Sequence, residues 1–211
     1  SVEEARTLSE ICEKAERKIN VCLRINPTDA AGGAMRMGGR PSPFGIDEET
    51  LDESLSEIQK LSRLNVVGIH LFMGTQILDA SVLLTQYQRA LVLARQVAAT
   101  LSSPLCSIDF GGGWGTPYFP HEQCLNLTEV KAVLQKIQDE MQADPLLAET
   151  QAIIEPGRFL VNEAGTYLAQ VTRTKQSRGK TFVVIDGGMH HHLAASGNLG
   201  QTIKRNFPVA I

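Results

Sequence analysis

The chain reads as an α/β protein: part of a TIM-type (β/α)8 barrel, followed by the start of an antiparallel β domain. Three observations predict this. From residue 2 to residue 155, helical and strand-like apolar patterns alternate every ~35–45 residues, the rhythm of βα units around a parallel sheet. Polar and ionisable residues gather at the C-terminal ends of several strand-like runs. That suits a barrel mouth better than an open sheet, which would concentrate them at one switch point. After Arg158 the apolar period falls to two around a turn-forming Ser177-Arg178-Gly179-Lys180, as in an antiparallel hairpin.

The elements follow in order. Val2, Ala5, Leu8, Ile11, Cys12 and Ala15 recur at helical spacing, and residues 21–26 form a first strand ending in Arg24 and Asn26. Leu51, Leu55, Ile58 and Leu61 make a helix face behind Asp47, a candidate N-cap. Residues 66–72 form a second strand, running into His70, Gly74 and Thr75. Leu83, Leu84, Tyr87, Leu91, Ala94 and Val97 predict a helix capped near Asp79. A third strand, 105–110, carries Asp109 and ends in Gly111-Gly112-Gly113. Thr128 is the candidate cap of a helix bearing Val130, Val133, Leu134 and Ile137, and a fourth strand, 152–155, ends at Glu155. Residues 166–174 and 181–186 are the strands of the hairpin. No sequence repeat accompanies the alternation, which excludes a solenoid.

Composition narrows the class. The 211 residues are 43% hydrophobic and 20% charged, ordinary for a globular chain and unlike disorder, coiled coil or collagen. No apolar run approaches the ~18 residues of a membrane span, and the acidic start SVEEARTLSE does not fit a signal peptide. A net charge of -3 gives no reason to expect nucleic acid or an anionic membrane as partner. The four cysteines form no CxxC pair, so no zinc site or disulfide framework is expected, and Cys12 and Cys22 read as buried thiols. A soluble, cytoplasmic protein is the expectation. The chain opens inside a helix pattern and stops in the apolar run 207–211, so it reads as a piece of a longer protein.

Two motifs carry chemistry. In Asp109-Phe110-Gly111-Gly112-Gly113-Trp114-Gly115, three glycines after a buried strand let the backbone approach a ligand, and their N–H groups can form an anion-binding nest. The same residues would also serve as a plain tight βα turn. In Glu155-Pro156-Gly157-Arg158, a carboxylate closes an apolar run where unpaired burial would be costly. Pro156 ends the ladder, Gly157 relaxes the backbone, and Arg158 offers a planar fork suited to phosphate. A Glu155–Arg158 ion pair at a barrel rim is the alternative. Together the motifs suit a ligand with an anionic group at one end, held by Gly113 and Arg158, and a protonatable nitrogen at the other, held by Glu155. Pyridoxal phosphate has that shape. A carboxylate beside its ring nitrogen keeps the ring protonated and so stabilises negative charge at a substrate carbon.

At this point the residues match a known family. The segments LRINP (23–27), PFGID (43–47), VVGIHLFMGTQI (66–77), SIDFGGGWGTPY (107–118), EPGRFLVNEAG (155–165) and VVIDGGM (183–189) occur in the order found in the fold-type III pyridoxal-phosphate decarboxylases, the ornithine and diaminopimelate decarboxylase family, which the chain resembles. Segments 37–47 and 186–211 resemble a subgroup that includes the butirosin-pathway decarboxylase, acting on glutamate held on an acyl-carrier protein, and the exosortase-associated decarboxylases.

The resemblance implies the C-terminal half of an alanine-racemase-like barrel at residues 1–160 and the beginning of a C-terminal β domain at 161–211. It implies a decarboxylase of a free amino acid or of an aminoacyl thioester on a carrier protein, working as a homodimer with active sites shared across the interface. Residue by residue, Glu155 stands where the family pairs with the pyridine nitrogen. Gly113, Gly157 and Arg158 stand at phosphate positions, with Gly111, Gly112 and Pro156 beside them. Thr75 replaces a phosphate-binding serine, Arg24 matches an arginine near the cofactor, and Asp186 matches an aspartate near the substrate side chain.

Two departures accompany these matches. The family's ring-stacking histidine falls at Phe72; His70, two residues earlier on the same strand face, could take part of its role or be a satisfied core histidine. The lysine that bonds the cofactor lies upstream in the family and the catalytic cysteine downstream. None of the eight lysines here ends a predicted barrel strand. His190-His191-His192 is not expected to bind metal, because consecutive strand residues point to opposite faces. Two rival readings stay open: a non-catalytic regulatory homologue, and a phosphate-binding barrel isomerase that uses Glu155 as an acid–base group.

Overall fold

The computed structural model describes residues 1–28, 35–36, 41–188 and 190–191. Residues 29–34, 37–40, 189 and 192–211 lie outside the described set, and with them much of the segments 37–47 and 186–211 and the third histidine, His192. The chain divides into two units, residues 1–116 with 124–159, and residues 117–123 with 160–211.

In the first unit, α1 (Val2–Lys14) starts at Ser1, whose side chain accepts from the Glu4 N–H while Glu4 reaches back to the cap backbone, a reciprocal capping box. The chain then enters β1 (Ile19–Asn26), β2 (Met35–Arg36) and β3 (Ile46–Asp47). A single 3-10 turn, Glu48–Thr50, leads into α2 (Leu51–Gln59). Asp47 does not cap this turn. Its carboxylate instead accepts from Asn26 Nδ2 at 2.6 Å, tying β3 to the end of β1. Next come β4 (Leu64–Leu71), β5 (Gly74–Thr75) and α3 (Ala80–Leu101), capped by Asp79 as the sequence predicts. β6 (Ser107–Asp109) precedes α4 (Leu127–Gln142), whose cap is Asn126 rather than Thr128. The helix begins two residues earlier because Asn126 can accept from both the Thr128 and Glu129 N–H groups. β7 (Gln151–Ile153) and the first residues of the short α5 (Gly157–Val161) complete the unit.

The main sheet runs β3-β1-β4-β6-β7, and all its pairs are parallel. β1, β4, β6 and β7 lie side by side in chain order, each joined to the next through a crossover helix, and the two-residue β3 flanks β1 on its other side. This is a barrel segment and not a doubly wound sheet. Neighbouring helices α1, α2, α3 and α4 pack on one another in sequence. Leu23, Ile69 and Ile108 share one row of the register and are buried in the core with Leu51, Leu55, Leu83, Leu91 and Val97 of α2 and α3. The next row along, on the opposite face of the sheet, is Arg24, His70 and Asp109, all only partly buried.

β7 departs from expectation. Gln151, Ala152 and Ile153 are exposed, because this strand pairs only with β6 among the described residues. Cys22 is likewise exposed, on the opposite sheet face from the core, with its Sγ 3.5 Å from Ser107 Oγ. Cys12 is buried as expected.

The second unit holds the hairpin, β8 (Val171–Ser177) and β9 (Lys180–Ile185), paired antiparallel. Its turn is Arg178-Gly179, both at positive φ, the conformation that glycine makes cheap in a two-residue hairpin loop.

Candidate active site

The site is built where β1, β4, β6 and β7 end. In register, Arg24 of β1 lies opposite His70 of β4, and His70 lies opposite Asp109 of β6, so three ionisable side chains from three strands stand in one row. Glu155, two residues past Ile153, joins them: its Oε2 is 3.6 Å from His70 Nε2. Ligand atoms of His70, Asp109 and Glu155 all lie within 4.8 Å of one another. His70 Nε2 is buried and has no hydrogen-bond partner among the described residues, whereas the Glu155 side chain is 53% exposed. The burial expected of Glu155 is therefore not found. It follows an exposed edge strand, so water reaches its carboxylate.

The three glycines are required before any ligand is considered. A Cβ at Gly111 would lie 2.2 Å from Leu71 O, at Gly112 2.2 Å from Glu155 O, and at Gly113 2.4 Å from Gly74 O. Gly111 and Gly113 also adopt φ of +70° and +93°. The loop thus presses backbone to backbone against the ends of β4 and β7. Hydrogen bonds seal the contact. The Glu155 N–H donates to Gly111 O at 2.9 Å, the Gly157 N–H to Glu155 O at 2.8 Å, and the Gly111 N–H to Asp109 Oδ1 at 2.9 Å. The backbone that carries Glu155 is fixed by the same loop.

On the other side the loop is stitched to the segment after Thr75. The Ile77 N–H donates to Gly113 O at 2.9 Å, the Gly115 N–H to Ile77 O at 2.8 Å, and Gln76 Nε2 to Thr116 O. Thr75 itself pairs with Met35 across the β2–β5 ladder. Pro156 precedes α5, and Gly157 and Arg158 are its first two residues. Phe159 of α5 packs edge-on against Trp114 at 5.4 Å between ring centroids. Trp114 in turn donates to the Tyr87 hydroxyl at 2.8 Å, and burial pushes the Tyr87 phenol up against that hydrogen bond, keeping it protonated. A chain of aromatic contacts therefore connects α5, the glycine loop and α3.

Arg24 is held between two rings, 5.1 Å from the Phe44 centroid and 5.8 Å from that of Phe72. Phe72 is thus a support for Arg24. In the second unit, Asp186 closes the hairpin: its Oδ1 accepts from the Gln170 N–H at 2.9 Å and its own N–H donates to Gln170 O at 3.0 Å. His190 and His191 lie ring against ring at 4.0 Å, with His191 Nδ1 accepting from the Gly188 N–H.

Two participants were not singled out from sequence. Asp109 was visible as a strand-ending acid, but its place beside His70 depends on register. Phe44 lay in a loop motif, and only its contact with Arg24 gives it a role.

The family described as "Pyridoxal-dependent decarboxylase, pyridoxal binding domain" matches residues 1–162. The chain is 36% identical over 210 residues to the L-glutamyl-[BtrI acyl-carrier protein] decarboxylase of Niallia circulans, covering 99% of this chain and 49% of that protein. It is 28% identical over 195 residues to the diaminopimelate decarboxylase of Aquifex aeolicus, covering 90% and 44%. Among solved structures, a mutant diaminopimelate decarboxylase of Helicobacter pylori complexed with L-lysine superposes with a TM-score of 0.76 at 29% identity, covering 93% of this chain and 48% of that one. The chain spans about half the length of the curated relatives it matches. With a barrel segment, a glycine loop at the strand ends and this match over residues 1–162, the chain belongs to the pyridoxal-dependent decarboxylase family.

Proposed function

We propose that this chain forms the cofactor-binding part of a pyridoxal-phosphate-dependent decarboxylase whose substrate is an amino acid, free or carried as a thioester on an acyl-carrier protein. The observation that carries the reading is Glu155: a carboxylate at the strand ends, its backbone locked by Gly111 and Gly112, its side chain open to a ligand. The neighbouring groups fit pyridoxal phosphate. The glycine loop has no space for side chains, which lets a ligand approach its backbone closely, and His70 Nε2 is a buried polar atom without a hydrogen-bond partner among the described residues.

When bound, the cofactor would supply an electron sink for the charge left as carbon dioxide departs. This chain's residues would do the rest. Glu155 would hold the ring nitrogen and keep its proton. Gly111, Gly112, Gly113, Thr75, Pro156, Gly157 and Arg158 would surround and bind the phosphate, Arg158 by a charge-assisted contact. Phe72 would offer an apolar face to the ring, and Arg24 would stand at its edge on Phe44. Asp186 is the residue we assign to the substrate side chain. The same reading makes residues 161–211 the beginning of a C-terminal β domain in a cytoplasmic homodimer. No helix among the described residues is long and apolar enough to cross a membrane.

The 36% identity to a decarboxylase that acts on a carrier-bound glutamyl group favours a thioester over a free amino acid. The full-length protein, purified and mixed with candidate substrates, tests this. A bound pyridoxal chromophore with carbon dioxide release is the expected result. A chromophore without release from any substrate would favour the regulatory homologue, and absence of a chromophore at saturating cofactor would favour the barrel isomerase.

A further inference from the structure

We propose that His70 is a positioning residue for Glu155: its Nε2–H donates to Glu155 Oε2 and so turns the carboxylate's other oxygen toward the cofactor's ring nitrogen. The inference rests on the assignment of Glu155 to that nitrogen.

The geometry leaves His70 one natural partner. Its Nε2 is buried with no hydrogen bond among the described residues, a state that is costly if it persists. Glu155 Oε2 at 3.6 Å is just outside hydrogen-bond range. Both backbones are fixed, His70 in mid-sheet between β1 and β6, and Glu155 by Gly111 and Gly112. The Glu155 side chain, at 53% exposure, is the part free to rotate and close the gap. One carboxylate oxygen would then be committed to the imidazole, which leaves the second with a defined direction.

Asp109 completes the arrangement. It lies opposite His70 in the register, and its Oδ1 is occupied by the Gly111 N–H. Its carboxylate therefore sits at a fixed place beside the imidazole, within 4.8 Å of the other two groups. The arrangement is Asp109 and His70 from two adjacent strands and Glu155 from the segment just past β7, with the outermost carboxylate presented to the ligand.

The test uses the full-length protein loaded with pyridoxal phosphate labelled with nitrogen-15 in the ring, whose resonance reports the ring proton. In the unmodified protein and in His70→Gln, which keeps an N–H donor near the Nε2 position, the nitrogen should be protonated. In His70→Leu and His70→Asn, which lack a donor there, the resonance should move toward the deprotonated position. In those two variants kcat should also fall by about tenfold while the substrate KM changes little, as expected for the loss of one charge-assisted hydrogen bond. Equal behaviour of the Gln and Asn variants would overturn the proposal, because a packing role does not distinguish them.

Glu155→Gln serves as the reference. If it shifts the resonance and neither His70→Leu nor His70→Asn does, the role of His70 is wrong and that of Glu155 stands. If Glu155→Gln leaves the ring proton in place, the assignment of Glu155 fails and takes this inference with it. Stoichiometric retention of zinc by the apo-protein, lost in His70→Leu, would also overturn the proposal by making the three side chains metal ligands.

Discussion

Gly112 has no room for a methyl group. A Cβ there would meet the Glu155 carbonyl oxygen at 2.2 Å, and backbone at a strand end cannot retreat as a flexible side chain could. Gly112→Ala should therefore push the glycine loop off Glu155, cost on the order of 2–3 kcal/mol through overpacking, and lower cofactor affinity and melting temperature together. A variant with unchanged melting and affinity would show that the loop is looser than described. Arg158 should act differently, since it is exposed at the start of α5. If Arg158 holds the phosphate as proposed, Arg158→Ala removes a charge-assisted contact of ~1.5–3 kcal/mol, and affinity for pyridoxal phosphate should fall roughly ten- to a hundredfold. Affinity for pyridoxal without its phosphate should hardly change. An equal loss for both would mean that Arg158 holds something other than phosphate.

At the scale of elements, the edge of the site is tied to α3 by one carboxylate. Glu48, beside β3, accepts from the Thr28 N–H at 2.9 Å and hydroxyl at 3.1 Å, and pairs with Arg89 of α3. Burial works against the Glu48 charge, but the hydrogen bonds from Thr28 and Arg89 outweigh it and hold the carboxyl below its ordinary value. A folded-state value below the unfolded one gives stability that is complete above the ordinary glutamate value of about 4.3 and is lost as pH falls through the depressed folded value. Glu48→Gln should thus lower stability by about 1–2 kcal/mol at pH 7, and the difference should vanish in acid. Thermal melts of both proteins across that pH range check it. A gap that stays constant into acid would assign the effect to shape and not to charge.

Across the whole chain, the parallel sheet has unpaired edges at β3 and β7 among the described residues, and Ile153 on β7 is 36% exposed. In the second unit, Val171, Phe182, Val183, Val184 and Ile185 are exposed on a hairpin that pairs with no other strand among the described residues, a structure only marginally stable in water. These 211 residues expressed alone should self-associate, and light scattering should give a mass above one copy. Replacing Val184 by Lys should reduce the association. A monodisperse single copy in both cases would contradict the role given to these apolar surfaces.

The alternation of helix and strand, the Asp79 cap and the hairpin turn at Arg178-Gly179 were legible in sequence, because apolar period and local backbone sterics are properties of neighbouring residues. The family too was legible, from motifs such as EPGR and DFGGGWG that keep their order along the chain. Other features needed the fold. The choice of Asn126 over Thr128 depended on where α4 could begin, and Asp47 was drawn from capping by Asn26, an amide 21 residues away. Glu155 and Cys22 were exposed by strand position, which periodicity does not report. Above all, the row Arg24, His70, Asp109 exists because strands some forty residues apart pair in one register. A period of two says which face a side chain takes, but only the hydrogen-bonded ladder decides which residue stands beside it.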